Sequence, residues 1–166
     1  MPYWRCYYHL VWATRDRAHT ITADLEPRLC SFIVHQAAQV DVLIYAVNGM
    51  PDHRHVIAAI APSQPVADVV TLLKHASTQD MGARGVGLEW QPGLGVITIS
   101  EKNLGMAIEY VHRQKEHHRD KTTVAALERC TEYDDGTQAP GLPADWLPPV
   151  LRETRATYEV NDEPPF

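Results

Sequence analysis

The pattern of hydrophobic positions changes from a period of two to a helical period early in the chain. Residues 3–14 are rich in aromatic and β-branched side chains, with Tyr8, Leu10 and Trp12 on one face. This alternation predicts a strand. Apolar residues then recur at helical spacing, which predicts a helix from about residue 23 to residue 39.

The middle of the chain predicts a hairpin followed by a second helix. Residues 41–48 and 53–60 have the composition of strands, and the segment Asn48–Asp52 between them contains Asn-Gly and Pro, which are strong turn signals. The spacing of valine and leucine then predicts a helix over about 66–78. Residues 80–93 are rich in glycine and are expected to be irregular.

The same pattern ends in one more strand and helix. Residues 94–100 are predicted as a strand and about 104–118 as a helix, with a further short helix within 122–131. From residue 132 onward there are six prolines and little periodicity, which indicates an extended arm or a disordered tail. We therefore expect two parts: a folded domain over 1–121 and an acidic, proline-rich extension over 122–166.

The predicted order of elements is β-α-β-β-α-β followed by an added C-terminal helix. This order is typical of the ferredoxin-like (RRM-like) motif. Right-handed crossovers would give a four-stranded antiparallel sheet with helices on one face. The sequence thus predicts an α+β fold.

Composition restricts the class of protein. No run of 18 apolar residues exists, so no membrane span is expected. The first residues lack the apolar segment of a secretory signal, and the chain is expected to be cytoplasmic. The 3 cysteines are far apart, which disfavours a disulfide framework or a zinc ribbon.

The charge is unevenly distributed. The formal net charge is −6. Residues 132–166 hold eight acidic and two basic residues and so carry all of it, while residues 1–131 hold 13 of each sign and are neutral. The folded part is therefore not repelled by nucleic acid overall, although it lacks a strong basic footprint.

Two groups of residues could carry chemistry. Side chains alternate along a strand, so His53 and His55 share one face and could grip a single cation. On the last predicted helix, Tyr110 and Gln114 are four residues apart and face the same way. Taken alone, the histidines could be ordinary surface residues of a strand and Tyr110 a half-buried core tyrosine.

Together these residues fit one reaction. A phenol can attack phosphorus in DNA to form a phosphotyrosine link and free a 3′ hydroxyl. A divalent ion held by two imidazoles and an amide oxygen would polarise the scissile phosphate. The mixed nitrogen and oxygen ligands suit Mn²⁺ well and Mg²⁺ acceptably, and do not exclude zinc.

Four segments resemble the single-tyrosine transposases with an HUH-type metal motif, which move insertion sequences through single-stranded DNA, and the related REP-associated tyrosine transposases. They are YHLVWATR (8–15), MPDHRH (50–55), WQPG (90–93) and YVHRQKEHH (110–118). Their order and spacing cover about residues 3–120.

The resemblance implies His53, His55 and Gln114 as metal ligands, Tyr110 as nucleophile, and Mg²⁺ or Mn²⁺ as cofactor. It also implies a homodimer that cleaves and rejoins single-stranded DNA beside hairpin elements, acting as a transposase through a 5′-phosphotyrosine intermediate. Aromatic and basic residues suit contact with such DNA. The candidates are Tyr3, Trp4, Arg5, Arg15, Arg17, Lys74, His75 and Arg84.

Two other functions remain open at this stage. The chain could be a DNA-binding protein of the same fold without transposition activity, or a metal-dependent hydrolase that uses water. One departure from the family also matters: Arg54 stands in the middle of the His-x-His motif, where the family usually has an apolar residue. Arg54 is expected to point to the opposite face and to need a partner there.

Overall fold

The computed structural model describes residues 3–131, and all structural statements below concern this part of the chain. Its strands are β1 Tyr7–Ala13, β2 Leu43–Met50, β3 His53–Ala59 and β4 Gly95–Ile99. They form one four-stranded antiparallel sheet in the order β2-β3-β1-β4. The predicted α+β class is confirmed, and the strand order is the one that two interleaved β-α-β units produce.

Five helices accompany the sheet. They are α1 Glu26–Ala38, α2 Val66–Gly82, α3 Leu104–His112, α4 Gln114–Asp120 and α5 Ala125–Glu128. None of them is long and apolar enough to cross a membrane. The predicted tail from residue 132 lies outside the described residues.

The main core lies between one face of the sheet and the first two helices. Alternation along β1 sends Leu10 and Trp12 to this face, where both are fully buried. Leu29 of α1 and Leu73 of α2 belong to the same apolar cluster. Trp12 meets Trp90 edge to face, with ring centroids 6.1 Å apart.

The opposite face carries α3 and α5. Ile57 of β3 and Val111 of α3 form a second buried cluster with Ala46 of β2. Val11 and Ala13 of β1 pack against Cys130, directly after α5. The two faces of β1 and β3 therefore support different helices.

Arg54 points to the core face, as the alternation of side chains predicted. Its side chain is 1% exposed, and Nη1 lies 3.0 Å from Oε1 of Glu26 on α1. The same Nη1 donates to the backbone oxygens of Met50 and His53. Burial lowers the pKa of Arg54, although the Glu26 carboxylate opposes this effect.

The structure moves several predicted boundaries: α2 continues to Gly82 instead of ending at about residue 78, and two further changes bear on the site. Strand β2 continues through Asn48 and Gly49 to Met50, so the turn is shorter than the predicted Asn48–Asp52 segment. The last long helix is interrupted at Arg113, whose φ of −94° and ψ of 17° are not helical. Asn48 stabilises this break, because its Nδ2 donates to the backbone oxygens of Val111 and His112.

Candidate active site

His53 and His55 lie on the same face of β3, as predicted. Their ring centroids are 5.0 Å apart, and the residues are 3% and 0% exposed. Burial of two imidazoles is costly unless their nitrogens find partners.

Asp52 fixes the orientation of His53. Nδ1 of His53 lies 2.7 Å from Oδ1 of Asp52, and Arg17 holds the carboxylate from its other side at 3.6 Å. Burial alone would lower the pKa of His53, but Asp52 and the nearby Glu128 carboxylate raise it above its ordinary value. Nε2 of His53 is buried and lies 3.5 Å from Oε2 of Glu128, without a hydrogen bond of good geometry. Nε2 is therefore the nitrogen that faces the interior of the site.

His9 fixes the orientation of His55 in the same way. Nε2 of His9 lies 2.8 Å from Nδ1 of His55, and one of the two nitrogens must donate while the other accepts. The two rings therefore cannot both be protonated. Burial, then the neighbouring His55, lowers the pKa of His9 to about 3. Burial also lowers the pKa of His55.

The carboxylate of Glu128 joins both histidines to the tyrosine. Its Oε2 lies 3.2 Å from Nε2 of His55, 3.3 Å from Nε2 of His118 and 3.5 Å from Nε2 of His53. Its Oε1 accepts hydrogen bonds from Tyr110 Oη at 2.6 Å and from Gln114 Nε2 at 2.8 Å. Burial would raise the pKa of Glu128, but His53 and His55 hold it well below its usual range.

Tyr110 is held from three sides. Besides donating to Glu128, its oxygen accepts a hydrogen bond from the backbone N–H of Val124 at 3.1 Å. Its ring stacks on His117, with centroids 4.6 Å apart. Burial, together with the hydrogen bond to the Glu128 carboxylate, raises the pKa of Tyr110 to about 12.

Gln114 is fully buried at the first position of α4. Its amide nitrogen is used by Glu128, while its Oε1 is buried without a hydrogen-bond partner. Tyr110 and Gln114 are four residues apart, but they lie on two separate helices, α3 and α4, and not on one continuous helix. Tyr110 and Gln114 nevertheless meet at the same carboxylate oxygen.

The donor atoms fit a divalent cation. His53, His55, His118 and Glu128, which we call the His–Glu cluster, each offer one ligand atom within 4.8 Å of the others. Nε2 of His53, Nε2 of His118 and Oε1 of Gln114 are buried atoms without hydrogen-bond partners. Such atoms cost free energy unless something binds them, and a cation would do so.

Three residues of this site did not appear among the predicted site residues: His9, His118 and Glu128. Alternation along β1 places His9 on the same face as Val11, two residues later. Val11 pairs with His55 across the sheet, so His9 and His55 lie close together on this face. His118 is one helical turn beyond Gln114, and this spacing is the signal that could have identified it. Glu128 carries no such signal, since it ends a helix of only 4 residues.

The four arginines predicted to contact DNA each have a carboxylate partner in the same chain. The pairs are Arg5–Glu101 at 3.1 Å, Arg15–Glu89 at 2.9 Å, Arg17–Asp52 at 3.6 Å and Arg84–Asp80 at 3.3 Å. Arg17 also lies 3.5 Å from Nδ1 of His53, at the border of the His–Glu cluster.

The other predicted contacts lie in three places. Lys74 is partly buried, and its ammonium donates to the backbone oxygens of Gln91 and Gly93. His75 lines the same shallow depression as Lys74 and Trp90. Tyr3 and Trp4 border a second depression together with Arg5, whose guanidinium lies 4.7 Å from the Tyr3 ring centroid.

Comparison with known proteins points to a family of transposases. The family model described as "Transposase IS200 like" matches residues 2–114. The ISDra2 transposase TnpA of Deinococcus radiodurans is 27% identical over 115 residues, which are 64% of this chain and 82% of that protein.

Two solved structures are similar. A crystal structure from Deinococcus radiodurans R1, assigned as a transposase, has 27% identity and a TM-score of 0.55, covering 69% of this chain and 95% of its own. A REP-associated tyrosine transposase bound to a REP hairpin has 16% identity and a TM-score of 0.53, covering 86% and 100%. The latter identity supports the fold alone. Because the family model covers most of the chain, including His53, His55, Tyr110 and Gln114, this protein belongs to the IS200-like transposase family.

Proposed function

We propose that this transposase cleaves and rejoins single-stranded DNA with Tyr110 as the nucleophile. The observation that carries the proposal is that the Tyr110 phenol and the His53–His55 pair meet at one carboxylate. Tyr110 Oη is 2.6 Å from one oxygen of Glu128, and His55 Nε2 is 3.2 Å from the other. A nucleophile and a candidate cation site therefore lie close enough to act on one phosphate.

The cleavage step begins with a protonated phenol. Tyr110 Oη attacks the phosphorus, a new O–P bond forms, and the bond from phosphorus to the 3′ oxygen breaks. The DNA is left with a 5′-phosphotyrosine link on one side and a 3′ oxygen, which takes up a proton, on the other. Rejoining is the reverse, with a 3′ hydroxyl attacking phosphorus and Tyr110 as the leaving group.

The phenol proton must leave during attack. The pKa of Tyr110 is raised to about 12, so the phenol is neutral near pH 7. Oε1 of Glu128 is an acceptor already in hydrogen-bonding contact with the phenol. The proton can leave along this hydrogen bond as the O–P bond forms.

We propose His53, His55 and Gln114 as ligands of Mg²⁺ or Mn²⁺. Asp52 and His9 bind the Nδ1 atoms of the two histidines, so the Nε2 atoms are left to ligate. Gln114 would contribute its unpartnered Oε1. When bound, the cation would supply polarisation of the scissile phosphate.

The proposed substrate is single-stranded DNA beside hairpin elements. One solved relative is described as bound to a REP hairpin, and the basic residues of this chain offer phosphate contacts. Arg5, Arg15 and Arg84 are in exposed ion pairs, which contribute little and can be exchanged for phosphate. Lys74 would first have to leave two carbonyl oxygens.

We further propose a homodimer in which Tyr110 acts within its own chain. β2 is an edge strand of the sheet and exposes Leu43 and Tyr45, which suits pairing with a second copy. The hydrogen bond from Tyr110 to Glu128 is made within one chain. Mass measurement by light scattering tests the dimer, and mixed Tyr110→Phe and His55→Ala protomers test the cis arrangement.

The deciding experiment is covalent capture. The protein is incubated with a pool of single-stranded DNA and Mn²⁺ or Mg²⁺, and denaturing gels followed by mass spectrometry should find DNA attached to Tyr110. Tyr110→Phe should abolish the adduct, with Tyr8→Phe, whose ring packs against the core cluster, as the matched control. A DNA-binding protein without transposition activity would form no adduct, and a hydrolase using water would keep cleaving as Tyr110→Phe.

A further inference from the structure

The ligand set proposed so far is electrically neutral. Two imidazoles and an amide bring no negative charge to a divalent ion in a buried site, and burying an uncompensated charge is costly. Protein sites for Mg²⁺ usually include one or two carboxylates. The carboxylate of Glu128 could supply the negative charge that balances the cation, because its Oε2 lies within 3.5 Å of three imidazole nitrogens.

The two carboxylate oxygens of Glu128 contact different groups. Oε1 is taken up by Tyr110 and Gln114 at 2.6 and 2.8 Å. Oε2 faces only imidazole nitrogens among its described partners, at 3.2 Å from His55 and 3.3 Å from His118. The carboxylate is thus held by one oxygen while the other points to where the histidine nitrogens converge.

His118 brings a third imidazole to the same point. Its ring centroid is 5.0 Å from that of His53, and its Nε2 is buried without a hydrogen-bond partner. It lies one helical turn beyond Gln114 on α4, so both residues face the sheet. Nε2 of His118 lies 3.3 Å from Oε2 of Glu128, so this ligand atom points to the same carboxylate as the strand histidines.

The segment that carries Glu128 is docked independently of the carboxylate. Cys130 is fully buried against Val11 and Ala13 of β1. The backbone N–H of Val124 donates to Tyr110 Oη. Gly95 has no side chain where the Arg129 carbonyl oxygen approaches β4, and a Cβ there would meet that oxygen. Glu128 is therefore placed by several contacts besides its own.

We propose that Glu128 and His118 are cation ligands of this chain, in addition to His53, His55 and Gln114. The inference rests on the proposed metal-dependent function and extends it. The family model matches residues 2–114, and both proposed ligands lie after residue 114. Three imidazoles also favour Mn²⁺ over Mg²⁺, because nitrogen ligands suit transition metals.

The test measures metal affinity apart from activity. Calorimetric titration of the metal-free full chain with Mn²⁺ near neutral pH should show weaker binding by Glu128→Gln and by His118→Asn. Loss of an outer-shell partner already costs roughly 10–100-fold in affinity, so loss of a ligand should cost at least about tenfold. Exposed Glu109→Gln and His112→Asn are the matched controls and should bind like the wild type.

A spectroscopic measurement separates ligation from a structural role. Electron spin-echo modulation of bound Mn²⁺ counts the coordinated imidazoles, and the count should fall from three to two in His118→Asn. Melting curves in the absence of metal identify any variant that has lost its fold. Glu128→Asp, which keeps the charge on a shorter side chain, should recover part of the affinity that Glu128→Gln loses.

The outcomes distinguish this inference from the proposed function. If the wild type binds Mn²⁺ and forms the adduct while Glu128→Gln binds Mn²⁺ equally well or better, Glu128 is not a ligand and the function stands. Higher adduct yield in Glu128→Gln with unchanged affinity would make the carboxylate an obstruction and overturn the inference. If the wild type binds no Mn²⁺ or Mg²⁺, both proposals are wrong.

Discussion

Alternate residues of β1 and β3 enter opposite surroundings. Leu10 and Trp12 of β1 are fully buried among the apolar side chains of α1 and α2. His9 directly precedes Leu10 in sequence but lies on the other face, 2.8 Å from His55. These side chains are buried on both faces, but they are mainly apolar on the core face and mainly polar around His9 and His55.

The buried polar side chains on the two faces of the sheet have different partners. On the core face, Arg54 is matched by the Glu26 carboxylate and backbone oxygens, although its Nε and the Nε1 of Trp12 have no hydrogen-bond partner. On the site face, the atoms without such a partner belong to His53, His118 and Gln114, which all contact the Glu128 carboxylate. A folded chain tolerates such atoms where a ligand completes them. The contrast indicates that the core face specifies the fold and the site face is completed by what it binds.

The largest effect on stability should come from the core face. Trp12→Ala removes a fully buried indole that packs against Trp90, and such truncations cost about 3–5 kcal/mol. Urea denaturation should show this loss, while the exposed Val96→Ala on β4 should change stability by less than about 0.5 kcal/mol. Equal midpoints for the two variants would contradict the assignment of the core.

The Arg54–Glu26 pair tests the exception on the core face. Glu26→Gln would leave the Arg54 charge buried without a carboxylate, which should cost about 3 kcal/mol, the lower end of the range for broken buried pairs. Lys115 also contacts Glu26, at 2.8 Å, but its side chain is 54% exposed. Lys115→Gln is therefore the control and should cost less than about 1 kcal/mol. A Glu26→Gln variant as stable as Lys115→Gln would show that the backbone oxygens alone satisfy Arg54.

The site face should make stability depend on pH. The pKa of His9 is about 3 in the folded chain, against 6.5 when unfolded, so the unfolded chain binds more protons between these values. Stability is therefore present above pH 6.5 and is lost as pH falls, by about 2 kcal/mol between pH 7 and pH 5. His9→Gln should flatten the profile, whereas the exposed His35→Gln should not. Identical profiles for His9→Gln and wild type would refute the buried neutral imidazole.

Sequence reasoning succeeded where a residue's role follows from local periodicity. Alternation along a strand placed His53 and His55 on one face and Arg54 on the other, and the order of elements predicted the α+β class. The break of the last helix at Arg113 escaped prediction because no glycine or proline marks it in the sequence. Its stabilisation comes from Asn48, which is distant in sequence and donates to two helix carbonyls.

The candidate site was predicted only in part for the same reason. The sequence predicted Tyr110, Gln114 and the histidine pair as site residues. It did not predict Glu128, which contacts all of them from a segment that was expected to belong to the extension over 122–166. Its placement depends on contacts such as that between Cys130 and Val11. No local periodicity encodes these contacts, although two glycines, Gly93 and Gly95, leave the space that the segment occupies.

Gly95 offers the mildest way to disturb the site face alone. A Cβ at this position would meet the Arg129 carbonyl oxygen and the Val11 side chain, so Gly95→Ala should displace the segment after α5. We expect a loss of about 1 kcal/mol, the lower end for overpacking, because a terminal segment can shift. The thiol of Cys130, which is fully buried, should become reactive faster than in the wild type when labelling is followed by mass spectrometry.

A second glycine provides the control for this prediction. Gly105 lies in α3 with nothing within 4 Å of an added Cβ, so Gly105→Ala should leave the labelling of Cys130 unchanged and slightly stabilise the helix. If Gly95→Ala weakens Mn²⁺ binding along with exposing Cys130, the docked segment and the cation site form one unit. If Cys130 becomes reactive while Mn²⁺ affinity stays the same, the site face does not depend on the segment that carries Glu128. In that case His53, His55 and Gln114 alone would account for Mn²⁺ binding on the site face.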